Sequence, residues 1–358
     1  MMMVNLRTTL RNVLVLSVCA ELVLRLLGSA YVQYHYRNLF RAVRRGKTVI
    51  LCVGESSTAG LWVQVEDSYP KQLERLLNQR AHSEQFLSVA PPLLGQNTSQ
   101  MAHRIEPYLK EWRPQLLILM AGVNNEWSLA ESSAVKFLKN GSPVEALQLH
   151  AIVFFSNCRV YKVLRYVGKR FFTSHEAKGF DMPSYDPVYS EFPPRKDIYE
   201  LARRHEAAFV EAWRYDMAQM IHAAQAYHVN VLLMTYPINP VYLSEKEFVH
   251  LAQEYHIPLV RNDQIFSTRM GLPTGKAEEY LFRDHWHPNE KGYYLIAQNA
   301  LEAILRDHLI DDRLDESTSS NVANNCICLV KGIGRILLAV GVREDCREYD
   351  SAGRWCEV

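Results

Sequence analysis

From Lys47 onward the chain alternates short apolar runs with stretches whose apolar residues recur every three or four positions. An apolar run of strand length, with no polar face, has to be covered on both sides. Thr48–Val53 (TVILCV), Phe86–Ala90, Leu116–Ala121 (LLILMA), Val231–Tyr236 and Ile257–Val260 are runs of this kind. Helical spacing lies between them: Tyr69, Leu73, Leu76 and Leu77, with Pro70 in the first turn, where its missing N–H is tolerated. Met101, Ile105, Leu109 and Trp112 form a second such face, in which Pro107 has to kink the helix or mark its start. Leu201, Phe209, Trp213, Met217, Ile221 and Ala224 share one face of a long helix, and Glu245–Tyr255 makes another. Buried strands separated by helices predict an α/β fold, a three-layer α/β/α sandwich around a five-stranded parallel sheet.

Composition narrows what such a fold can do. Forty Lys and Arg against 39 Asp and Glu leave a net charge of +1 on 358 residues, which excludes a strongly basic nucleic-acid groove. With 48% hydrophobic and 22% charged residues the chain is globular rather than disordered. The seven Cys are an odd number, few for the length, and provide no disulfide framework.

The N-terminal segment poses a separate question. Val13–Val32 (VLVLSVCAELVLRLLGSAYV) is long enough to span a bilayer as a helix. Glu21 and Arg25 interrupt it four apart on one helical face, where they can pair. Each Leu or Val gains roughly 0.3 to 0.6 kcal/mol on insertion while a central charge costs about 2.5 to 3.5, so the balance is marginal. The expectation is a single-pass anchor over residues 1–46 with a basic linker. The alternatives are a helix lying in the membrane surface, a signal peptide cut after Gly28-Ser29-Ala30, and an amphipathic helix packed on the protein itself. Arg7 and Arg11 precede the segment and Arg37, Arg41, Arg44, Arg45 and Lys47 follow it, so the positive-inside rule favours a cytoplasmic C-terminal side, a rule with little force for so weak a span.

The globular part is expected over 47–310, with an insertion at about 130–196. In that insertion Phe171–Pro194 is rich in aromatics and proline and too long for a simple connection. Tyr185, Tyr189 and Phe192 are candidate stacking surfaces of a lid or platform; an ordered insertion packed on the domain is the alternative. Residues 311–358 read as a tail: Asp311–Asn325 is polar, and Cys326–Val342 is apolar but too short and too charged for a confident span. The tail holds Cys326, Cys328, Cys346 and Cys356, whose pairing would require an oxidising compartment.

Open parallel sheets present their chemistry at the carboxyl ends of the strands. After the first strand stands Gly54-Glu55-Ser56-Ser57-Thr58-Ala59-Gly60. A serine on such a turn can raise its hydroxyl above the sheet while backbone N–H groups face a developing oxyanion. Ser56, Ser57 and Thr58 are equally suited to capping the next helix, and this motif alone leaves both readings open. Asp284-His285-Trp286-His287-Pro288-Asn289 is the second element. Asp284 and His287, three apart, point the same way, so a carboxylate can hold one ring nitrogen while the other faces a serine. His285 points elsewhere, and Asn289 suits the cap of the following helix. Asp284, His285 and His287 also supply ligand types for zinc, but no further ligand cluster accompanies them.

Taken together, residues Lys47 to His308 resemble the SGNH (GDSL-like) hydrolase superfamily, as a membrane-associated member. Its first block, Gly-Asp-Ser, is matched by Gly54-Glu55-Ser56, which implies Ser56 as nucleophile and as oxyanion donor through its N–H. Gly95 in Leu94-Gly95-Gln96-Asn97-Thr98 stands in the place of the second block's glycine donor. Gly122-Val123-Asn124-Asn125 resembles Gly-x-Asn-Asp, so Asn124 would give its side-chain amide to the oxyanion hole. Asp284 to His287 matches Asp-x-x-His. The sequence departs at Glu55, in place of Asp, and at Asn125, in place of Asp. The resemblance implies an esterase or deacylase, working without a cofactor on an ester of a lipid, glycan or small molecule. An O-acyltransferase acting on a glycan and a catalytically silent binding module are the alternatives.

Overall fold

The computed structural model describes residues 6–91, 93–129, 131–138, scattered helical positions between 144 and 167, and residues 200, 202–240, 242–271, 277–282, 284–310, 347–349 and 355–357. By internal contacts the chain divides into two compact units, Met1–Ile310 and Asp311–Val358. In the second unit Arg347–Tyr349 pairs antiparallel with Trp355–Glu357. Leu201, the Phe171–Pro194 stretch and Cys326–Val342 lie outside the described residues.

The first unit is built on five strands: β1 (Thr48–Gly54), β2 (Phe86–Val89), β3 (Leu116–Met120), β4 (Asn230–Met234) and β5 (Leu259–Val260). Their order is β2-β1-β3-β4-β5, and every pairing is parallel. Each residue of β1, β2 and β3 is buried, the physical meaning of runs with no polar face. The order places β1 between two strands reached in opposite directions, so the sheet's switch point falls between β1 and β3. Right-handed crossovers then distribute the helices over both faces. On one face α3 (Tyr69–Arg80) packs against α9 (Glu290–Arg306). On the other, α4 (Thr98–Trp112) packs against α5 (Glu206–Ala226), with α6 (Glu245–Glu254) beside β4 and β5. The architecture is the three-layer α/β/α sandwich with a five-stranded parallel sheet. Short helices α2 (Ser56–Ala59), α7 (Asn262–Met270) and α8 (Ala277–Tyr280) complete the unit.

Two local expectations change. Strands β4 and β5 are shorter than their apolar runs, β5 being two residues long at the sheet edge. Pro107 does not mark the start of α4. A capping box sets that start at Thr98, where the Asn97 side chain accepts from Gln100 N and the Gln100 side chain accepts from Asn97 N. Pro107 instead lies inside α4, on its exposed side.

Ahead of the sheet, α1 (Leu6–Arg44) is a 39-residue helix. Within it Arg11–Tyr31 has a mean hydropathy of 2.0, long and apolar enough to cross a membrane, and none of its most apolar window is buried against the protein. Arg25 Nε donates to Glu21 at 2.9 Å, which pairs the two charges of that window on one face.

Candidate active site

The end of β1 and the end of β3 come together because Gly54 has no side chain. A Cβ there would run into the Met120 carbonyl of β3 and the Thr58 hydroxyl. The chain then turns sharply through Glu55 into α2, which closes at Gly60 with φ of 78°, a left-handed value suited to glycine. Of the turn's hydroxyls, Ser57 and Thr58 are buried and Ser56 is partly exposed. The Ser56 hydroxyl lies 2.7 Å from Nε2 of His287, a residue 231 positions further along.

His287 reaches this spot from the loop ahead of α9. Leu281 and Pro288 form an antiparallel bridge, Phe282 N donates to the His287 carbonyl at 2.8 Å, and Asn289 N donates to the Tyr280 carbonyl at 2.9 Å. Asn289 caps α9 by accepting from Gly292 N at 3.0 Å. On its far side the ring bonds through Nδ1 to Asp284 Oδ2. The other oxygen of Asp284 accepts from the backbone N–H of Trp286 and of His287, each at 3.1 Å. Burial opposes charge on Asp284, but the His287 ring and these two N–H groups outweigh it and hold the carboxyl below the usual carboxylate range. His285, the neighbour, is exposed with φ of 59° and takes no part in the row. Among the described residues no group of three or more His, Cys, Asp and Glu side chains converges as a metal cage.

The loops that carry Asn124 and Gly95 meet one strand over. Asn124 follows β3, and its side-chain amide donates to the Gln96 carbonyl at 3.1 Å. Gln96 follows Gly95, whose φ of 68° again suits glycine, on the loop between β2 and α4. Trp127 stands 3.4 Å from where a Gly95 Cβ would lie. Asn124 and Gly95 are therefore on adjoining loops, joined through Gln96.

Four features of this region had no role in the sequence reading. Glu55 is the first. Its fully buried carboxylate accepts from Gly122 N at 2.6 Å and from the Tyr236 hydroxyl at 2.5 Å, and the Asn124 backbone N–H adds a further bond. The longer side chain at this position thus ties the Ser56 turn to the Asn124 loop and to the end of β4. Burial pushes its carboxyl up to about 7, against the pull of those donors. The second feature is Asp216, fully buried on α5, which accepts from the hydroxyls of Thr98 at 2.8 Å, Ser99 at 2.6 Å and Ser133 at 2.7 Å. Burial raises its carboxyl while the three hydroxyls lower it, and the net displacement is upward. A carboxylate on the otherwise apolar Trp213-Met217-Met220 face of α5 is the sequence signal that marks it.

Asp216 also accounts for the Asn125 departure. Thr98 gives its hydroxyl proton to Asp216 and accepts from Asn125 Nδ2 at 2.8 Å, while Asn125 Oδ1 accepts from Thr98 N at 2.9 Å. An ionised Asp at 125 would have no proton to donate to that hydroxyl, whereas Asn supplies both a donor and an acceptor. The remaining features are Trp62 and Tyr293. The Trp62 ring stands edge-on to His287 with centroids 4.6 Å apart, and against Phe282 at 5.7 Å. Tyr293 donates to the Ser56 carbonyl at 3.4 Å from the buried face of α9.

A hydroxyl, an imidazole and a carboxylate thus stand in one hydrogen-bonded row at the carboxyl edge of a parallel sheet, beside its switch point. The profile of the GDSL-like Lipase/Acylhydrolase family matches residues 52–295, and the chain belongs to that family. Membership places it among hydrolases that cleave acyl esters. Among solved structures, the chain is similar to the psychrotrophic esterase EstA of Pseudoalteromonas sp. at 14% identity, covering 73% of this chain and 98% of that one, with a TM-score of 0.41. It is similar to the lipase/acylhydrolase of Enterococcus faecalis at 15% identity, with 72% and 95% coverage and a TM-score of 0.40. A GDSL-like lipase of Bacteroides thetaiotaomicron is similar at 15% identity, with 76% and 97% coverage and a TM-score of 0.39. No curated protein matches the chain.

Proposed function

We propose that the chain is a serine ester hydrolase, with Ser56 as nucleophile, His287 as general base and Asp284 as the carboxylate that orients it. The observation carrying this reading is the 2.7 Å approach of the Ser56 hydroxyl to His287 Nε2, with Nδ1 of the same ring held by Asp284. His287 takes the proton of Ser56 as its oxygen attacks the ester carbonyl, then returns it to the departing alkoxide. Water follows by the same route and releases the acid. Asp284 fixes the tautomer and balances the charge of the imidazolium.

The oxyanion of each tetrahedral intermediate is received by the N–H groups of Ser56 and Gly95 and by the Asn124 amide. That amide carries two N–H bonds, one of which goes to Gln96, so its plane is set before substrate arrives. Glu55 supports the same geometry from below by fixing the backbone at Gly122. No cofactor enters this chemistry. The substrate class is an ester of a small molecule, lipid or glycan.

We read α1 as a retained membrane anchor of this enzyme, with residues 47–310 as the hydrolase domain. A fluorophosphonate probe tests the chemistry: the wild-type chain is labelled and the Ser56→Ala chain is not. Equal labelling of both removes Ser56 from the mechanism.

A further inference from the structure

Two loops have to agree on one distance for Ser56 and His287 to share a hydrogen bond. The serine opens α2, and the histidine lies on the loop ahead of α9. Each loop is held by its own backbone bonds. The Ser56 carbonyl accepts from Gly60 N at 3.1 Å and from Leu61 N at 3.0 Å, which folds the chain after α2 back onto the nucleophile. Leu281 bridges to Pro288 and Phe282 N donates to the His287 carbonyl at 2.8 Å, which narrows the histidine loop. Those bonds are internal, so the approach of Ser56 to His287 depends on what stands between the loops.

Trp62 stands there. It follows Leu61 directly, and its ring meets two rings of the opposite loop. The centroids are 4.6 Å apart at 65° for His287 and 5.7 Å apart at 87° for Phe282. Aromatic pairs in such arrangements attract one another and prefer particular angles. The imidazole is also held at Nε2 by Ser56 and at Nδ1 by Asp284. Both bonds lie near the ring plane, and they resist least a tilt about the line joining the two nitrogens. A ring packed against the imidazole resists that tilt.

The backbone at this position is unusual. Trp62 has φ of 70°, in the left-handed region that a bulky side chain enters at a cost. Costly conformations of this kind persist where the surroundings over-determine them, and they cluster at functional sites. Glycine would sit there without strain, so what the chain gains from tryptophan at 62 is the ring.

We propose that Trp62 is a positioning residue, whose ring holds the His287 imidazole at the tilt from which Nε2 takes the Ser56 proton. This rests on the assignment of Ser56 as nucleophile and His287 as base. Trp62 acts through His287, so its loss should appear in kcat and leave KM nearly unchanged.

The full chain is assayed in detergent micelles on p-nitrophenyl acetate, butyrate and octanoate, as wild type, Trp62→Gly, Trp62→Leu and Trp62→Phe. In Trp62→Gly the relieved strain offsets part of the lost packing, and kcat should fall at least about tenfold, by the same factor on all three esters. Trp62→Leu fills the space without a ring; it should show the same loss, and it carries the test if Trp62→Gly does not fold. Trp62→Phe should recover most of the rate. A wild-type kcat in Trp62→Leu overturns the proposal. A loss that sits in KM and grows with acyl length also overturns it, and makes Trp62 a wall of the acyl site instead.

A second readout does not depend on turnover. The proton between His287 Nδ1 and Asp284 should give a far-downfield NMR resonance in the wild type. The resonance should broaden or vanish in Trp62→Leu and persist in Trp62→Phe. An unchanged resonance in Trp62→Leu overturns the proposal. A wild type whose resonance depends on Trp62 but that takes no fluorophosphonate supports the positioning and overturns the hydrolase assignment.

Discussion

Glu55 and Tyr236 meet at 2.5 Å, carboxylate to phenol, beneath the loop that carries Asn124. The pair joins the ends of β1 and β4 across the intervening β3, and Glu55 holds β3's outgoing loop through Gly122 N at 2.6 Å. The carboxyl that belongs to the turn before the serine therefore ties that turn to the loop that carries Asn124.

Its titration has a direction that can be measured. The folded-state value is raised to about 7, so the folded chain holds a proton that the unfolded chain has already lost. Stability from this group is fully present below the ordinary glutamate range and is lost as pH rises through about 7. Across that window wild-type stability should fall by about 1.4 kcal/mol per pH unit more than that of Glu55→Gln, which cannot ionise. Denaturant titrations at several pH values read the slope. Parallel slopes in the two proteins would show that Glu55 does not carry the effect.

Among the turn hydroxyls, only Ser56 should matter for turnover. Ser56→Ala is expected to abolish hydrolysis of a short p-nitrophenyl ester, whereas Ser57→Ala, altering a buried side chain with no contact to His287 described, should largely retain it. A dead Ser57→Ala with an active Ser56→Ala reverses the assignment.

Asp284→Asn tests the third member of the row. The amide keeps the shape but lets the imidazole settle in the wrong tautomer, and kcat should drop by about 10² to 10⁴ with little change in Tm. Asn124→Ala should cost about 10² to 10³ in kcat through loss of one oxyanion donor. A full-rate Asp284→Asn enzyme would mean that the short contact with His287 contributes nothing to catalysis.

Asp216 lies behind the site and its removal should read as stability. Asp216→Ala strips the acceptor from three buried hydroxyls, each costing about 1 to 3 kcal/mol when left unpaired. Loss of at least about 3 kcal/mol in urea unfolding is expected, with Asp216→Asn losing less. An Asp216→Ala protein as stable as its parent would assign those hydroxyls another partner.

The sheet is legible because burial on both faces leaves a compositional trace: residues 49–53 of β1 and all of β3 are apolar, and the apolar runs match both strands to within a residue. The Ser56, Asn124 and His287 positions were legible because strand ends and short motifs coincide. Glu55, Tyr236 and Asp216 were not, since their roles depend on partners 67 to 181 residues away that no local pattern announces. The Asn125 departure becomes intelligible only through Thr98, at the start of α4 and far from the Asn125 turn in sequence. The sequence leaves the start of α4 open for a simpler reason: Pro107 is conspicuous, whereas the Asn97–Gln100 box that decides the start looks like ordinary loop.

Ser56 and His287 stand near the two ends of the sheet unit, 231 residues apart. A ribosome therefore delivers the alcohol early and the imidazole late, after all five strands of the parallel sheet have been made. On the proposed reading the nascent chain stays chemically inert while α1 engages its bilayer, and it gains the power to cleave esters only when α9 closes over α3.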